Sequence, residues 1–150
     1  MNIIEALRQY FLTSPVFTGQ RLDIDCLASD PESYSIDSVP SERIVQRYCD
    51  GSTVRRQLFT ISSRAAYGPD LTQQRGNIDL FEGLEEWLDQ QDALGLLPPL
   101  GDGRRARSVK VLSSAYPIEV EDGDQGSTAR YQIQLEFIYL QEVSIPNETE

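Results

Sequence analysis

The chain contains no histidine. General acid–base catalysis most often recruits that side chain, so its absence removes Ser-His-Asp and Cys-His arrangements and most zinc chemistry. Lysine is nearly absent as well. Lys110 is one of 13 basic residues, and the rest are arginine. Arginine forms planar, bidentate pairs with carboxylates and is favoured at interfaces, although GC-rich codon usage raises its count too. The two cysteines, Cys26 and Cys49, form no CxxC. They read as buried free thiols in a reducing cytosol. No window approaches the roughly 18 apolar residues that a membrane span requires. The opening MNIIEALRQYFLTSPVF lacks the basic start and apolar run of a signal peptide. The glycines form neither GxxxxGK[ST] nor GxGxxG, so no phosphate-cradling loop is evident.

What is present is acid. The 150 residues carry 13 basic and 24 acidic side chains, a net charge of −11. Non-specific nucleic-acid binding rests on phosphate neutralisation, which this balance opposes. An acidic wall suits a protein past which DNA slides without adhering. The length is that of one domain, residues 1–150, able to bury roughly 70% of its unfolded surface. A hydrophobic content of 39% is low for a monomeric enzyme and suits a thin domain completed by partners.

Periodicity gives the elements. Ile3, Ile4, Leu7, Tyr10 and Phe11 predict an amphipathic helix over 3–11, stopped by Pro15. Residues 20–33 read as loop with a short strand at Arg21–Cys26. YSIDSV at 34–39 has strand character, ended by Pro40. Residues 43–49 and 53–63 form the arms of a hairpin around Asp50-Gly51, a dipeptide suited to turns in which both residues take positive φ. In the second arm Phe59 and Ile61 alternate with Leu58, Thr60 and Ser62, so both faces look semi-polar. Ile78, Phe81, Leu84, Trp87 and Leu88 line one face of a helix over 78–94, with Asn77 as cap and Gly95 as stop. SVKVLSSAY at 108–116 puts Val109, Val111, Ser113 and Ala115 on one face. RYQIQLEFIYL at 130–140 is the cleanest strand, with Tyr131, Ile133, Leu135, Phe137 and Tyr139 on one side and Gln132, Gln134 and Glu136 on the other. EVEDGDQGST between them reads as a mobile loop, and the tail at 144–150 as flexible. The expectation is α+β: a mainly antiparallel sheet of about four strands with two or more helices packed on it.

Few residues suggest chemistry. Asp23 and Asp25 would share a face if extended, and Glu85 and Glu86 are adjacent on a helix, but 24 acids produce such pairs by chance. Cys49 has no base beside it and reads as half-buried structure. EDGD at 121–124 lacks the spaced ligands and closing glutamate of a calcium loop. Arg104, Arg105 and Arg107 make a basic patch too small for a nucleic-acid groove, though able to touch a carboxylate-rich partner. Neither catalysis, a metal nor a cofactor is expected.

Charge partition says more. Arg43 to Arg75 holds six arginines and two aspartates, a local +4; Asn77 to Gly103 holds seven acids and no base, a local −7. If these surfaces face different ways, copies can associate head to tail, and such a contact closes into a ring when its rotation permits.

Four stretches in order carry a resemblance: YSIDSVP at 34–40, YCDGSTVRRQLFTISSRAAYG at 48–68, FEGLEEWLDQQDALGLLPPL at 81–100 and ARYQIQLEFIYLQE at 129–142. Together they resemble the tail-terminator group among the tail-completion, or minor capsid, proteins of long-tailed bacteriophages and prophages. The resemblance covers about residues 34–142; each motif alone is weak and the ordered set is more specific. It implies a small α+β subunit that forms a homo-oligomeric, hexameric ring on the head-proximal end of the tail tube. The ring would end tube polymerisation and meet the tail-tube protein on one side and a head-completion or connector protein on the other. It implies a virion protein assembled in the cytoplasm of a bacterial host, with no reaction catalysed. On this view Arg47, Arg55, Arg56 and Arg64, with Glu82, Glu86 and Asp89, are expected at the subunit interface. Glu119, Glu121, Asp122 and Asp124 would form an acidic loop lining the lumen. The alternatives are another neck or head–tail joining protein, or an acidic binding or inhibitor module from a mobile element.

Overall fold

The computed structural model describes residues 2–17, 22–24, 33–66, 71–101, 103–123 and 126–142, leaving out the side chains of 33, 64–66, 71–78, 114–123 and 126–129. Cys26, Asp124 and the tail at 144–150 therefore lie outside the described residues, as do Arg21 and Asp25.

Helix α1 spans Ile3–Leu12. Asn2 caps it: its Oδ1 accepts the Glu5 N–H at 2.7 Å, satisfying one of the donors that a helix start leaves free. Ala6, Leu7, Tyr10 and Phe11 form the buried stripe. A 3₁₀ turn at Pro15–Phe17 follows and drives Phe17 into the core. Burial of a side chain such as Phe11 or Phe17 contributes roughly 1.5–3 kcal/mol.

The sheet has six strands rather than four: β1 (Leu22–Ile24), β2 (Ser33–Val39), β3 (Ile44–Arg47), β4 (Thr53–Ala66), β5 (Arg104–Gly123) and β6 (Gly126–Gln141). Their order is β1-β2-β4-β6-β5, with β3 also on β4. It is mixed, because β1 runs parallel to β2 while every other pair is antiparallel. A three-residue parallel strand has too little pattern to announce its partner or direction. β2 and β3 lie end to end along one edge of β4, from Ser33↔Arg64 to Arg47↔Thr53. Pro40, which has no N–H to offer a ladder, falls in the gap between them. The Arg56 N–H donating to the Arg43 carbonyl at 2.7 Å resumes the pairing.

The β3–β4 turn differs from the expected two-residue form. Gly51 N–H donates to the Tyr48 carbonyl at 3.0 Å and Tyr48 N–H to the Ser52 carbonyl at 2.9 Å, so the loop is Cys49-Asp50-Gly51. Gly51 has φ 93°, the left-handed bulge position that follows a turn in three-residue hairpins. Asp50 Oδ1 accepts the Ser52 N–H at 2.8 Å, which locks the corner. Cys49 sits in this corner as an exposed free thiol, not half-buried.

Helix α2 spans Leu71–Leu94 and starts seven residues before Ile78, so Asn77 is interior and not a cap. The stretch LTQQRGN has no apolar period to reveal it. The exit is as expected. Leu96 N–H donates to the Gln91 carbonyl at 2.9 Å and Gly95 N–H to the Asp92 carbonyl at 3.1 Å, a Schellman motif with Gly95 at φ 71°.

Both helices cover one face of the sheet. There Tyr34, Ile36, Phe59, Ile61, Val109 and the odd-numbered residues Tyr131 to Tyr139 meet Phe11, Phe17, Phe81, Leu84 and Leu88. The Phe59 and Ile61 face is thus core, not semi-polar. Trp87 joins the helices, its ring 5.0 Å from Tyr10 and 6.0 Å from Phe11. On the opposite face stand Thr60, Ser62, Gln132, Gln134 and Glu136, with Val39, Leu58 and Ile138 toward the hairpin end. A register shift between Val111 and Ser113 breaks the alternation of β5. Val111 pairs with Leu135, but Ser113 pairs with Gln134 and leaves the valine face.

The acidic stretch 119–123 is strand rather than loop. β5 continues through Glu119↔Arg130, Glu121↔Thr128 and Asp122↔Ser127 to Gly123↔Gly126. The pairing partner β6 supplies backbone hydrogen bonds that the acidic composition does not advertise.

Candidate functional site

Helix α2 carries the strongest charge feature. Its core stripe fixes the helix's rotation, so Asp79, Glu82, Glu86 and Asp89 all point to solvent. Glu85, half-buried between them, titrates above the ordinary carboxylate value. Burial is the main cause, and the neighbouring Glu82 and Asp89 charges add to it. None of these carboxylates forms an ion pair among the described residues. Like charges one turn apart destabilise a helix slightly, so the ridge is held by packing beneath it rather than by its own surface.

A shallow groove of about 440 Å³ runs between the C-terminal half of α2 and β5. Glu85, Asp89 and Asp92 form one wall, Val109 and Val111 the floor, and Lys110 the far rim. Among the described residues no other strand covers the outer edge of β5, and Leu112 there is half exposed.

The predicted arginines separate into two groups. Arg47 is exposed on β3, and Arg43, not singled out from the sequence, is exposed just before that strand. Arg55 and Arg56 are instead engaged within the sheet. Arg55 Nε donates to Thr53 Oγ1 at 3.0 Å, and Arg56 Nη1 lies 3.5 Å from Glu136 Oε2. Arg64 stands opposite Arg130 in the β4–β6 register, with its side chain outside the described residues. The side chains of Glu119, Glu121 and Asp122 also lie outside them; their backbone places them near the tip of the β5–β6 hairpin.

The sheet face that no described helix covers carries a charge network that sequence reading missed. Arg130 Nη2 lies 3.4 Å from Asp37 Oδ2 and 3.3 Å from Ser62 Oγ. Ser35 Oγ donates to Asp37 Oδ1 at 2.7 Å. The even-numbered polar residues of β6 were a signal for such a face, but their partners lie 68 to 93 residues away in sequence.

No protein-family model matches the chain, and no curated protein matches it either. No helix among the described residues is long and apolar enough to cross a membrane. The described residues include no group of three or more His, Cys, Asp or Glu placed to hold a metal ion.

Proposed function

We propose that the chain is a structural assembly protein of a long-tailed phage or prophage, a tail terminator. It forms a ring at the head-proximal end of the tail tube, ends tube polymerisation and joins the tail to the head. The observation that carries the reading is the unneutralised acidic ridge of α2, set on a different element from the exposed arginines of the β3 arm. Such a pair of surfaces allows copies to associate head to tail. The ordered motif resemblance supports it independently, since over the described residues its four stretches fall on β2, the turn into β4 with β4 itself, α2 with its exit, and β6. In the ring, the end of the β5–β6 hairpin would bring the backbone of Glu119, Glu121 and Asp122 toward the DNA path, where negative charge prevents adhesion.

The ridge also favours a second reading, an acidic module that binds a basic target as a monomer or dimer. Electron microscopy of the purified protein, alone and mixed with tail tubes from a mutant lacking it, separates the two. Rings, or caps on one tube end with uniform tube length, establish the terminator. A monomer that ignores the tubes refutes it and favours the inhibitor, whose partner a pull-down would then reveal.

A further inference from the structure

Among the described residues the sheet ends in β5 on one side and in β1 and β3 on the other. A free strand edge presents a row of unpaired N–H and C=O groups, which another strand can satisfy. The β5 edge is flanked by the carboxylates of Glu85, Asp89 and Asp92. The β3 edge is flanked by the exposed Arg43 and Arg47 and carries Val45, which is 51% exposed.

We propose that the outer edge of β3 in one copy pairs with the outer edge of β5 in the next. Arg43 and Arg47 then seat against Glu85, Asp89 and Asp92, and the sheet runs on from copy to copy. This deepens the ring reading by naming the surfaces that meet. Charge decides the pairing. Two β5 edges brought together would face three carboxylates against three, with a single Lys110 on each groove rim to offset them, and two β3 edges would face arginine against arginine; both are disfavoured. Only the unlike pair neutralises both flanks. It also uses two different surfaces, so the copy that offers β3 keeps its β5 edge free and its neighbour keeps its β3 edge free, as a closed ring requires. A four-residue strand makes few hydrogen bonds, so one contact is weak and closure multiplies it.

The test is sedimentation velocity at low ionic strength on the full chain, on Arg43→Glu/Arg47→Glu, on Asp89→Arg/Asp92→Arg, and on an equimolar mixture of the two variants. All four side chains are exposed, so melting temperatures should stay near wild type. The expected result is association of the wild type, at least tenfold weaker association of each variant alone, and recovery in the mixture. If reversal perturbs folding, Arg43→Gln/Arg47→Gln should still weaken association and flatten its salt dependence. Variants that associate like the wild type would overturn the edge pairing and leave the ring reading standing. A wild type that stays monomeric would overturn the edge pairing too, while the ring reading is judged separately by capping of tail tubes.

Discussion

The Tyr10 hydroxyl donates to the Leu96 carbonyl at 2.8 Å, tying the first helix to the residue that closes the C-terminus of the second. The two residues are 86 apart in sequence, and the bond sits at the edge of the aromatic cluster of Tyr10, Phe11 and Trp87. Tyr10→Phe keeps the ring and removes the bond. We expect a loss of about 0.5–1 kcal/mol in urea unfolding, because Leu96 is exposed and water replaces the lost donor. Burial, the largest influence, raises the hydroxyl's pKa above its ordinary 10.0. The folded protein therefore holds this proton more tightly than the unfolded chain does. Tyr10's contribution is complete below pH 10 and declines as pH rises through the folded value. The wild type should lose stability in that alkaline window faster than Tyr10→Phe.

Gly95 closes α2 at φ 71°, and nothing lies within 4 Å of where a Cβ would stand. Gly95→Ala therefore meets conformational strain without a clash. The expected cost is about 1–2 kcal/mol. Gly95→Asn should cost less, because asparagine visits the left-handed region more readily. Equal losses for the two variants in thermal melts would contradict this.

Glu85 lies between Glu82 and Asp89 on the ridge, with its pKa raised chiefly by burial. A raised folded value means stability that is present below the ordinary 4.5 and lost as pH rises through the folded value. Glu85→Gln removes that loss. It should be about 0.5 kcal/mol more stable than wild type at pH 7 and indistinguishable below pH 4. Urea midpoints at the two pH values check it.

Local pattern revealed local structure, and pairing across the fold stayed hidden. The alternation Tyr131, Ile133, Leu135, Phe137, Tyr139 was readable because one side of β6 is core and the other is not. The Asp50-Gly51 corner was readable as a hairpin, but its loop length depends on which carbonyl Gly51 N–H reaches. The first two turns of α2 were hidden by polar composition, and the acidic end of β5 resembled a loop because its hydrogen bonds come from β6. The same limit applies to the charged surfaces. The exposed Glu82, Glu86 and Asp89 followed from helix periodicity. That Arg56 meets Glu136, 80 residues away, while Arg43 stays exposed, follows only from strand register.

On the ring reading, Glu119, Glu121, Asp122 and Asp124 bear on DNA transit and not on the contacts between copies. Replacing Glu119 and Glu121 with Gln and Asp122 and Asp124 with Asn should leave ring formation and tube capping unchanged. Virion infectivity should fall, because DNA would adhere to a passage stripped of its repulsion. A plaque assay beside electron microscopy of the tails separates the two effects. Normal infectivity would remove the acids from the DNA path.

Arg130 and Asp37 bridge β6 and β2 over the central strand β4, at 3.4 Å and with side chains 27% and 21% exposed. Among the described residues Arg130 Nε is buried and has no hydrogen-bond partner, and the guanidinium's contacts are with Asp37 and Ser62. Removing one partner strands the other in a poorly solvated place, whereas removing both strands neither. Asp37→Asn should therefore cost more stability alone than it does in an Arg130→Met background. The double-mutant cycle should give a coupling of about 1 kcal/mol, at the top of the range of an ordinary exposed pair. The coupling should also shrink only slightly between low and high salt, because screening acts weakly on partly buried charges. A coupling near zero, or one abolished by salt, would place the pair in solvent and leave the shape of this sheet face to its backbone pairing alone.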